Sequence, residues 1–289
     1  MRAVGEETRV SVITERPIIP SEAAEAVGAD ASFACAPERD VVYAERLEGG
    51  IEVVYLNQPR KKNALSGEMM TKLDALLRAA DVDDGVRVVV LRGAGDDFSS
   101  GGDLDQGPAL EPGPAGARKT LRRYLAVVRT IRTMSKPVVA MVDGYAVGGA
   151  FALVCASDLV CASERALFVP AFCQIGIVPE MGMMKLLPDL VGPQRAKELL
   201  FFGGKIPALQ LYDWGVVNRV FPTETLEADT LWFARQLAGM PDASIHLTKN
   251  IMNALADGNL EACLEAESTA SPFCTTTKAY AATMEKFAR

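Results

Sequence analysis

The sequence predicts an α/β fold with a helical C-terminal portion. In the first half of the chain, short apolar runs typical of β-strands alternate with longer segments whose apolar residues recur at helical spacing. Helical spacing dominates the second half. With 289 residues, of which 49% are hydrophobic, the chain is long enough to bury a large core.

We divide the chain into three segments. Residues 1–40, where prolines interrupt short apolar stretches, predict a loosely ordered N-terminal extension. Residues 41–225 predict the α/β core, and residues 226–289 predict a C-terminal helical region. The extension contains several acidic residues and lacks a continuous apolar segment, which argues against a transit or signal peptide.

We predict the elements of the core from the spacing of apolar residues and from capping and turn residues. Residues 41–47 and 51–56 flank a Glu-Gly-Gly turn and predict a β-hairpin. Ser66 is the predicted N-cap of the next helix, and a turn at 83–85 leads into a strand over 86–92. The later elements are a loop at 107–116, a helix with Leu121, Leu125, Val128 and Ile131 on one face, strands at 138–142, 159–162 and 166–169, and a short helix from about Gly148.

The composition excludes several classes of function. A net charge of −7 without a basic cluster argues against nucleic-acid binding, and no apolar run reaches the roughly 20 residues of a membrane span. The six cysteines are scattered without CxxC spacing, which predicts reduced thiols, mostly buried, in a cytoplasmic protein. The single histidine, His246, excludes a His-rich metal site and is predicted to be a structural or surface residue, so we expect no metal.

Two glycine clusters each follow a predicted strand, at residues 98–104 (FSSGGDL) and 143–150 (DGYAVGGA). Glycine at such a position lets backbone N–H groups face a ligand, and N–H groups from two loops can form an oxyanion hole. Tight turns and close helix packing also explain the same glycines. Neither cluster fits the phosphate-binding loops of nucleotide-binding proteins.

The combination of motifs is more specific than either cluster. NQP at 57–59 and NAL at 63–65 come first, then FSSGGDL, then KPVVA at 136–140, then GYAVGG at 144–149 and finally Ser157-Asp158. This order and spacing resembles the crotonase superfamily of enoyl-CoA hydratases and isomerases, from about Val41 to the C-terminus. The resemblance implies a ClpP-like spiral of ββα units, a C-terminal helical region that forms trimers, and a homo-trimer or dimer of trimers.

The resemblance also implies an acyl-CoA thioester as the substrate, with coenzyme A entering as part of it and no separate cofactor. Its carbonyl oxygen would be held by the backbone N–H groups of Gly102 and Gly149. A cationic stretch at 60–62 suits the phosphates of coenzyme A, and a solvated charge run explains it equally well. Asp103 is also expected to brace its loop. The residues expected to contact coenzyme A or the acyl group are Lys61, Lys62, Asn63, Ala64, Leu65, Ser100, Gly101, Asp103, Leu104 and Phe172.

Two departures from the family bear on the reaction. Family hydratases that add water across a double bond use two glutamates, and the matching positions here are Ala152 and Phe172. Neither side chain can transfer a proton. Hydration by the two-carboxylate route is therefore disfavoured, and Phe172 is expected to shape the acyl pocket.

One acid remains in a suggestive place, Glu180 in the segment GIVPEMG at 176–182. Apolar neighbours would raise the pKa of its carboxyl group. An acid that caps the following helix explains a glutamate at this position equally well. The segment looks like the region where peroxisomal-type Δ3,Δ2-enoyl-CoA isomerases carry a single catalytic glutamate. We therefore predict such an isomerase, with Glu180 as the base.

Other functions stay open from the sequence. They are a different one-carboxylate reaction, namely thioester hydrolysis, decarboxylation or dienoyl-CoA isomerisation, or an atypical hydration in which Glu111 supplies the second acid. From another class, the chain could be a non-catalytic acyl-CoA-binding protein, because two of the family's acid positions are empty.

Overall fold

The computed structural model describes residues 40–105 and 113–287. The predicted extension, apart from Asp40, lies outside these ranges, as do Glu111 and most of the predicted 107–116 loop. The strands are β1 (Val42–Leu47), β2 (Ile51–Leu56), β3 (Val88–Gly93), β4 (Val138–Val142), β5 (Tyr145–Val147), β6 (Leu159–Ser163), β7 (Leu167–Val169), β8 (Ile206–Pro207) and β9 (Arg219–Phe221). The helices are α1 (Gly67–Val82), α2 (Gly113–Thr133), α3 (Gly149–Ala156), α4 (Met183–Val191), α5 (Pro193–Phe202), α6 (Ala208–Asp213), α7 (Leu226–Ala238), α8 (Asp242–Ala256), α9 (Leu260–Cys274) and α10 (Lys278–Phe287).

These strands form two sheets. The larger has the order β1-β2-β3-β4-β6-β9, and all its pairs are parallel except the β1–β2 hairpin. The smaller has the order β5-β7-β8. The chain passes from the larger to the smaller sheet after β4 and again after β6, which is the spiral that the resemblance implies.

The larger sheet is buried on both faces. In β3, Val89 and Leu91 belong to a core shared with α1, α2 and α3, whereas Val88 and Val90 belong to a second core shared with α7. Because neighbouring residues of a strand point to opposite faces, a strand buried on both sides reads as a continuous apolar run. Strands β3 and β4 show this pattern.

Most elements lie where the sequence predicts them. The hairpin is confirmed, and the Ser66 hydroxyl accepts the N–H of Met69 at 3.1 Å as the N-cap of α1. The sequence does not predict β5, and differences occur at three other places. Strand β3 begins two residues late, α2 begins at Gly113 inside the predicted loop, and the short strands β8 and β9 lie in the half predicted to be helical.

The cysteines are only partly as expected. All five described cysteines are free, and Cys155 and Cys161 are buried, so burial raises the pKa of their thiols. Cys173 is exposed, and Cys263 and Cys274 are partly exposed. No helix in the described ranges is long and apolar enough to span a membrane.

Helix α9 packs against the core of the chain. It packs against α2 and α4, both of which lie within residues 41–225. His246 lies on α8, where its Nε2 is 2.9 Å from the Asp242 carboxylate, consistent with the structural role predicted for it. The C-terminal helices therefore do more than extend the core, because α9 contributes to the site described next.

Candidate active site

A cavity of about 500 Å³ lies between the two glycine clusters, α2 and the C-terminal helices. The predicted site residues that line it are Glu180, Gly102, Gly149, Lys61, Ala64, Leu65, Ser100, Gly101, Asp103, Leu104 and Phe172. Lys62 and Asn63 instead lie along a second cavity of about 580 Å³, whose walls carry both basic and acidic side chains. The fold thus brings most of the predicted residues to one place.

Hydrogen bonds to Leu65 fix the orientation of the first glycine cluster. The N–H of Leu65 donates to the Gly101 carbonyl at 2.7 Å, and the N–H of Asp103 donates to the Leu65 carbonyl at 3.0 Å. These two bonds flank Gly102, so its own N–H points away from Leu65. This N–H donates to no residue in the described ranges and is free to bind a ligand.

The second free amide belongs to Gly149, the first residue of α3. The first N–H groups of a helix have no acceptor within it, and this one has none elsewhere among the described residues. The two clusters are in contact, because a Cβ placed on Gly101 would lie 2.5 Å from the Val147 carbonyl oxygen. Two free N–H groups from adjoining loops therefore line one cavity, as an oxyanion hole requires.

Asn63 braces these loops from behind the cavity. Its side-chain amide donates to the carbonyls of Ala94 at 2.9 Å and Asp97 at 2.8 Å, and its Oδ1 accepts the N–H of Gln58 at 2.9 Å. The Ser99 hydroxyl donates to the Asn63 carbonyl at 2.7 Å. The side chain of Asn63 is thus committed to the protein, and it holds the loop of the first cluster.

The lysines expected near the phosphates of coenzyme A are paired with acids. Lys61 Nζ lies 3.3 Å from both Asp103 and Asp105, and Lys62 Nζ lies 3.2 Å from Asp97. Asp103 also accepts the N–H of Asp105 at 2.8 Å, so it braces its loop as expected. Both lysines remain partly exposed, and their contact with phosphates stays a prediction.

Glu180 lies three residues before α4 and is not its N-cap, which is Gly182. Its carboxylate lines the cavity and accepts a hydrogen bond from the Ser271 hydroxyl. Burial raises the pKa of Glu180 to about 7; the hydrogen bond from Ser271 opposes this rise, and the nearby charge of Glu267 adds to it. A carboxyl group with such a pKa can accept and return a proton near neutral pH.

The remaining candidates for proton transfer are less suited. Ala152 is fully buried and Phe172 lines the cavity, so both empty acid positions are occupied by apolar side chains. Besides Glu180, the acids that line this cavity in the described ranges are Asp103 and Asp105, and both are paired with Lys61. Glu180 is therefore the cavity's one described carboxylate without a cationic partner.

Several wall residues were not predicted from the sequence. Tyr124 comes from α2, and its hydroxyl donates to the Leu65 carbonyl at 2.7 Å. Ser271 and Pro272 come from α9, and Tyr280 comes from α10. Burial and the neighbouring Glu180 raise the pKa of Tyr280. No motif marks these positions, since each is one polar or apolar residue within an ordinary helix.

Comparison with known proteins places the chain in a family. Residues 46–288 match the family model Enoyl-CoA hydratase/isomerase. A 4-chlorobenzoyl coenzyme A dehalogenase of Arthrobacter sp is 37% identical, over 75% of this chain and 80% of the relative. A 1,2-epoxyphenylacetyl-CoA isomerase of Escherichia coli (strain K12) is 33% identical, over 76% and 85%. Enoyl-CoA delta isomerase 2 of Rattus norvegicus is 34% identical over 77% of this chain, which corresponds to 57% of that relative.

Solved structures agree with the predicted fold. An enoyl-CoA hydratase from Mycobacterium avium subsp. paratuberculosis K-10 superposes with a TM-score of 0.78 at 28% identity, covering 86% of this chain and 96% of its own. An enoyl-CoA hydratase/isomerase from Xanthobacter autotrophicus Py2 gives 0.75 at 31% identity, covering 86% and 97%. With its motifs, spiral fold and matching family model, this chain belongs to the crotonase, or enoyl-CoA hydratase/isomerase, family of acyl-CoA-processing enzymes.

Proposed function

We propose that the protein is a Δ3,Δ2-enoyl-CoA isomerase with Glu180 as its base. One observation carries the proposal: a single described carboxylate without a cationic partner, Glu180, lines the cavity of the two free amides. A 1,3-proton shift needs only one base, because the group that removes the proton also returns it. Addition of water by the usual family route needs two carboxylates.

The chemistry assigns one step to each group. Glu180 removes a proton from C2 of the bound 3-enoyl thioester, and negative charge develops on the thioester oxygen as a dienolate. The N–H groups of Gly102 and Gly149 donate to that oxygen, and such a donor typically contributes about 3 kcal/mol to the transition state. Protonated Glu180 then delivers the proton to C4, which yields the 2-enoyl thioester.

The first test is incubation of the protein with 3-enoyl-CoA and 2-enoyl-CoA of several chain lengths in D2O. Mass spectrometry follows the products for the wild type and for Glu180→Gln. We expect interconversion with deuterium at C2 or C4, and a loss of about 10²- to 10⁴-fold in Glu180→Gln because the general base is gone. Glu164→Gln is the matched control, since Glu164 is exposed and lies outside the cavity.

Each other product identifies another function. Retained isomerisation in Glu180→Gln would show that another group is the base. Addition of water would require a second acid, of which Glu111 is the first to test, and release of free coenzyme A would identify a thioester hydrolase. Binding of the acyl-CoA without deuterium exchange would identify a non-catalytic binding protein.

The substrate panel includes aromatic acyl groups. The names of two relatives contain 4-chlorobenzoyl and epoxyphenylacetyl groups. The rings of Tyr124, Phe172 and Tyr280 line the cavity here, and aromatic side chains pack well against an aromatic acyl group. We therefore add phenyl-substituted 3-enoyl-CoA to the linear substrates, and a higher kcat/KM for it would identify an aromatic substrate class.

We also propose that the chain assembles as a homo-trimer or a dimer of trimers in the cytoplasm. Helix α8 supports the assembly, because its apolar residues face outward: Leu247, Ile251 and Leu255 are 60%, 58% and 80% exposed. Its inward face is polar instead, with Lys249 paired to Asp158 at 2.7 Å. A second copy that covers the outward face would remove this apolar surface from water.

A further inference from the structure

Helix α9 presents two polar side chains to the segment that carries Glu180. Glu267 is fully buried and Ser271 is 2% exposed, and a separation of four residues places them on one face of the helix. The Ser271 hydroxyl donates a hydrogen bond to Glu180 Oε1. Glu267 Oε2 accepts the N–H of Gly182 at 3.0 Å. Both contacts reach the turn between Glu180 and α4.

The backbone of this turn has an unusual conformation. Met181 has a φ of 60°, in the left-handed region that residues other than glycine seldom adopt, and Gly182 follows with 78°. The N–H groups of Met181 and Met184 favour the charged form of Glu267, as that of Gly182 does. The carboxylate of Glu267 therefore interacts with the amides of a turn whose backbone is strained at Met181.

The same turn touches the oxyanion donor. A Cβ placed on Gly149 would lie 2.8 Å from Met181 Sδ, so Met181 packs directly against the start of α3. A displacement of the turn would consequently change the position of Glu180 relative to the N–H of Gly149. The distance between base and donor amide thus depends on what holds the turn.

We propose that Glu267 and Ser271 are positioning residues for the base, Glu267 by holding the turn and Ser271 by holding one carboxylate oxygen of Glu180. The proposal rests on the assignment of Glu180 as the base. Since Ser271 occupies Oε1, the other oxygen, Oε2, takes the proton at C2 and returns it at C4. A carboxylate fixed in this way serves both carbons without rotating.

Glu267 and Ser271 have opposite effects on the pKa of Glu180. The Glu267 carboxylate raises the pKa of Glu180, and the hydrogen bond from Ser271 lowers it. Tyr124 and Tyr280 also face Glu180, and burial raises the pKa of both phenols. Neither carboxylate has an ion-pair partner among the described residues. The other titratable groups of this neighbourhood are Asp103, Lys185 and Cys263. The thiol of Cys263 donates to Glu267 Oε1 at 3.2 Å.

The test compares kcat, KM and the pH dependence of 3-enoyl-CoA isomerisation in Ser271→Ala and Glu267→Gln. We expect both to lower kcat by about 10- to 100-fold because the base is misplaced, with KM within about twofold. The pH midpoint of the rate should move up in Ser271→Ala and down in Glu267→Gln. Ser268→Ala is the control and should keep the wild-type values, since Ser268 is buried on the same helix and its hydroxyl donates to the Glu265 carbonyl at 2.9 Å.

The outcomes separate this proposal from the proposed function. If Glu180→Gln keeps the wild-type rate, the function itself is wrong. If Glu180→Gln is inactive but Ser271→Ala behaves like Ser268→Ala, or both midpoints move in one direction, the positioning proposal is overturned. Glu267→Asp is a second variant in case Glu267→Gln does not fold. It keeps the negative charge, but its shorter side chain moves the carboxylate away from the N–H of Gly182. We therefore expect kcat to fall without a lower pH midpoint.

Discussion

At the scale of single residues, Glu180 has to be ionised before it can accept a proton from C2. Its pKa is about 7 because burial disfavours the charged carboxylate. We therefore expect kcat/KM for isomerisation to rise about tenfold per pH unit well below pH 7 and to level off above it. Initial rates measured at constant ionic strength from pH 5 to 9 check this, and a profile that is flat from pH 5 to 8 would show that the base does not have a raised pKa.

Two adjacent glycines differ in what a methyl group would meet. Gly101 has a φ of 86° and a Cβ there would lie 2.5 Å from the Val147 carbonyl oxygen, whereas a Cβ on Gly102 would meet nothing within 4 Å. Gly101→Ala should lower the free energy of unfolding by about 1–3 kcal/mol. Gly102→Ala should change it by less than about 0.5 kcal/mol and raise KM instead, because the methyl enters the cavity. Urea unfolding and steady-state kinetics distinguish the two, and equal losses of stability would contradict the loop geometry.

The sequence identified some site residues and not others, for physical reasons. The glycine clusters alone left tight turns and close packing open, and the family resemblance selected Gly102 and Gly149 as donors. The apolar neighbours of Glu180 left it open between a base and a helix-capping acid, and the resemblance selected the base. Glu267 and Ser271 carry no such signal, since polar residues four apart are ordinary on an exposed helix, and only the packing of α9 against α2 and α4 buries them.

At the scale of elements, α9 brings a second buried acid close to the first. The pKa of Glu267, like that of Glu180, is raised to about 7 from an ordinary value of 4.5. Between pH 4.5 and 7 the folded state keeps protons that the unfolded chain has released, so stability falls as the pH rises. The contribution of these two carboxyl groups to the free energy of unfolding is complete below pH 4.5 and is lost as the pH rises through about 7.

Glu180→Gln and Glu267→Gln should each remove part of this pH dependence. Relative to the wild type, each variant should gain unfolding free energy between pH 5 and 8, by up to about 3 kcal/mol per group. Urea unfolding at several pH values measures the difference, with Glu164→Gln as the exposed control. A difference between variant and wild type that stays constant across this range would show that neither pKa is raised.

The elements that differ from the sequence prediction are the short or locally ambiguous ones. Gly113 and Pro114 suggest a loop, yet proline is well tolerated in the first turn of a helix, and α2 begins there. Strands β8 and β9 have two and three residues, and their pairing depends on distant partners rather than on their own period. By contrast, β4 and α1 have strong apolar patterns and lie where predicted.

At the scale of the whole molecule, α8 combines a polar stripe inside with an apolar stripe outside. Lys249, Asn253 and Asp257 recur every fourth residue and bond to the core, to Lys136, Arg132 and Asp158. The apolar stripe recurs at the same spacing on the opposite side, at Leu247, Ile251 and Leu255. Exposed apolar stripes of this kind are typical of surfaces that another protein surface covers.

The double variant Ile251→Asp/Leu255→Asp should dissociate the proposed trimer, because it places two charges in the covered surface. Size-exclusion chromatography with light scattering should give three or six chain masses for the wild type and one for the variant. Asn250→Asp, an exposed polar position on the same helix, is the control and should keep the wild-type mass. A wild type of one chain mass, or an unchanged mass in the double variant, would refute this interface.

The contacts of α9 also determine when the base becomes competent during folding. Gly182 and Glu267 are 85 positions apart, and Glu180 and Ser271 are 91 apart, so both contacts close only after most of the chain is available. Contacts between residues far apart in sequence form late in folding, because closing the long loop between them costs entropy before the contact itself stabilises the chain. A chain on the ribosome would therefore complete its glycine loops and sheet first and acquire a correctly held base last, once α9 has docked.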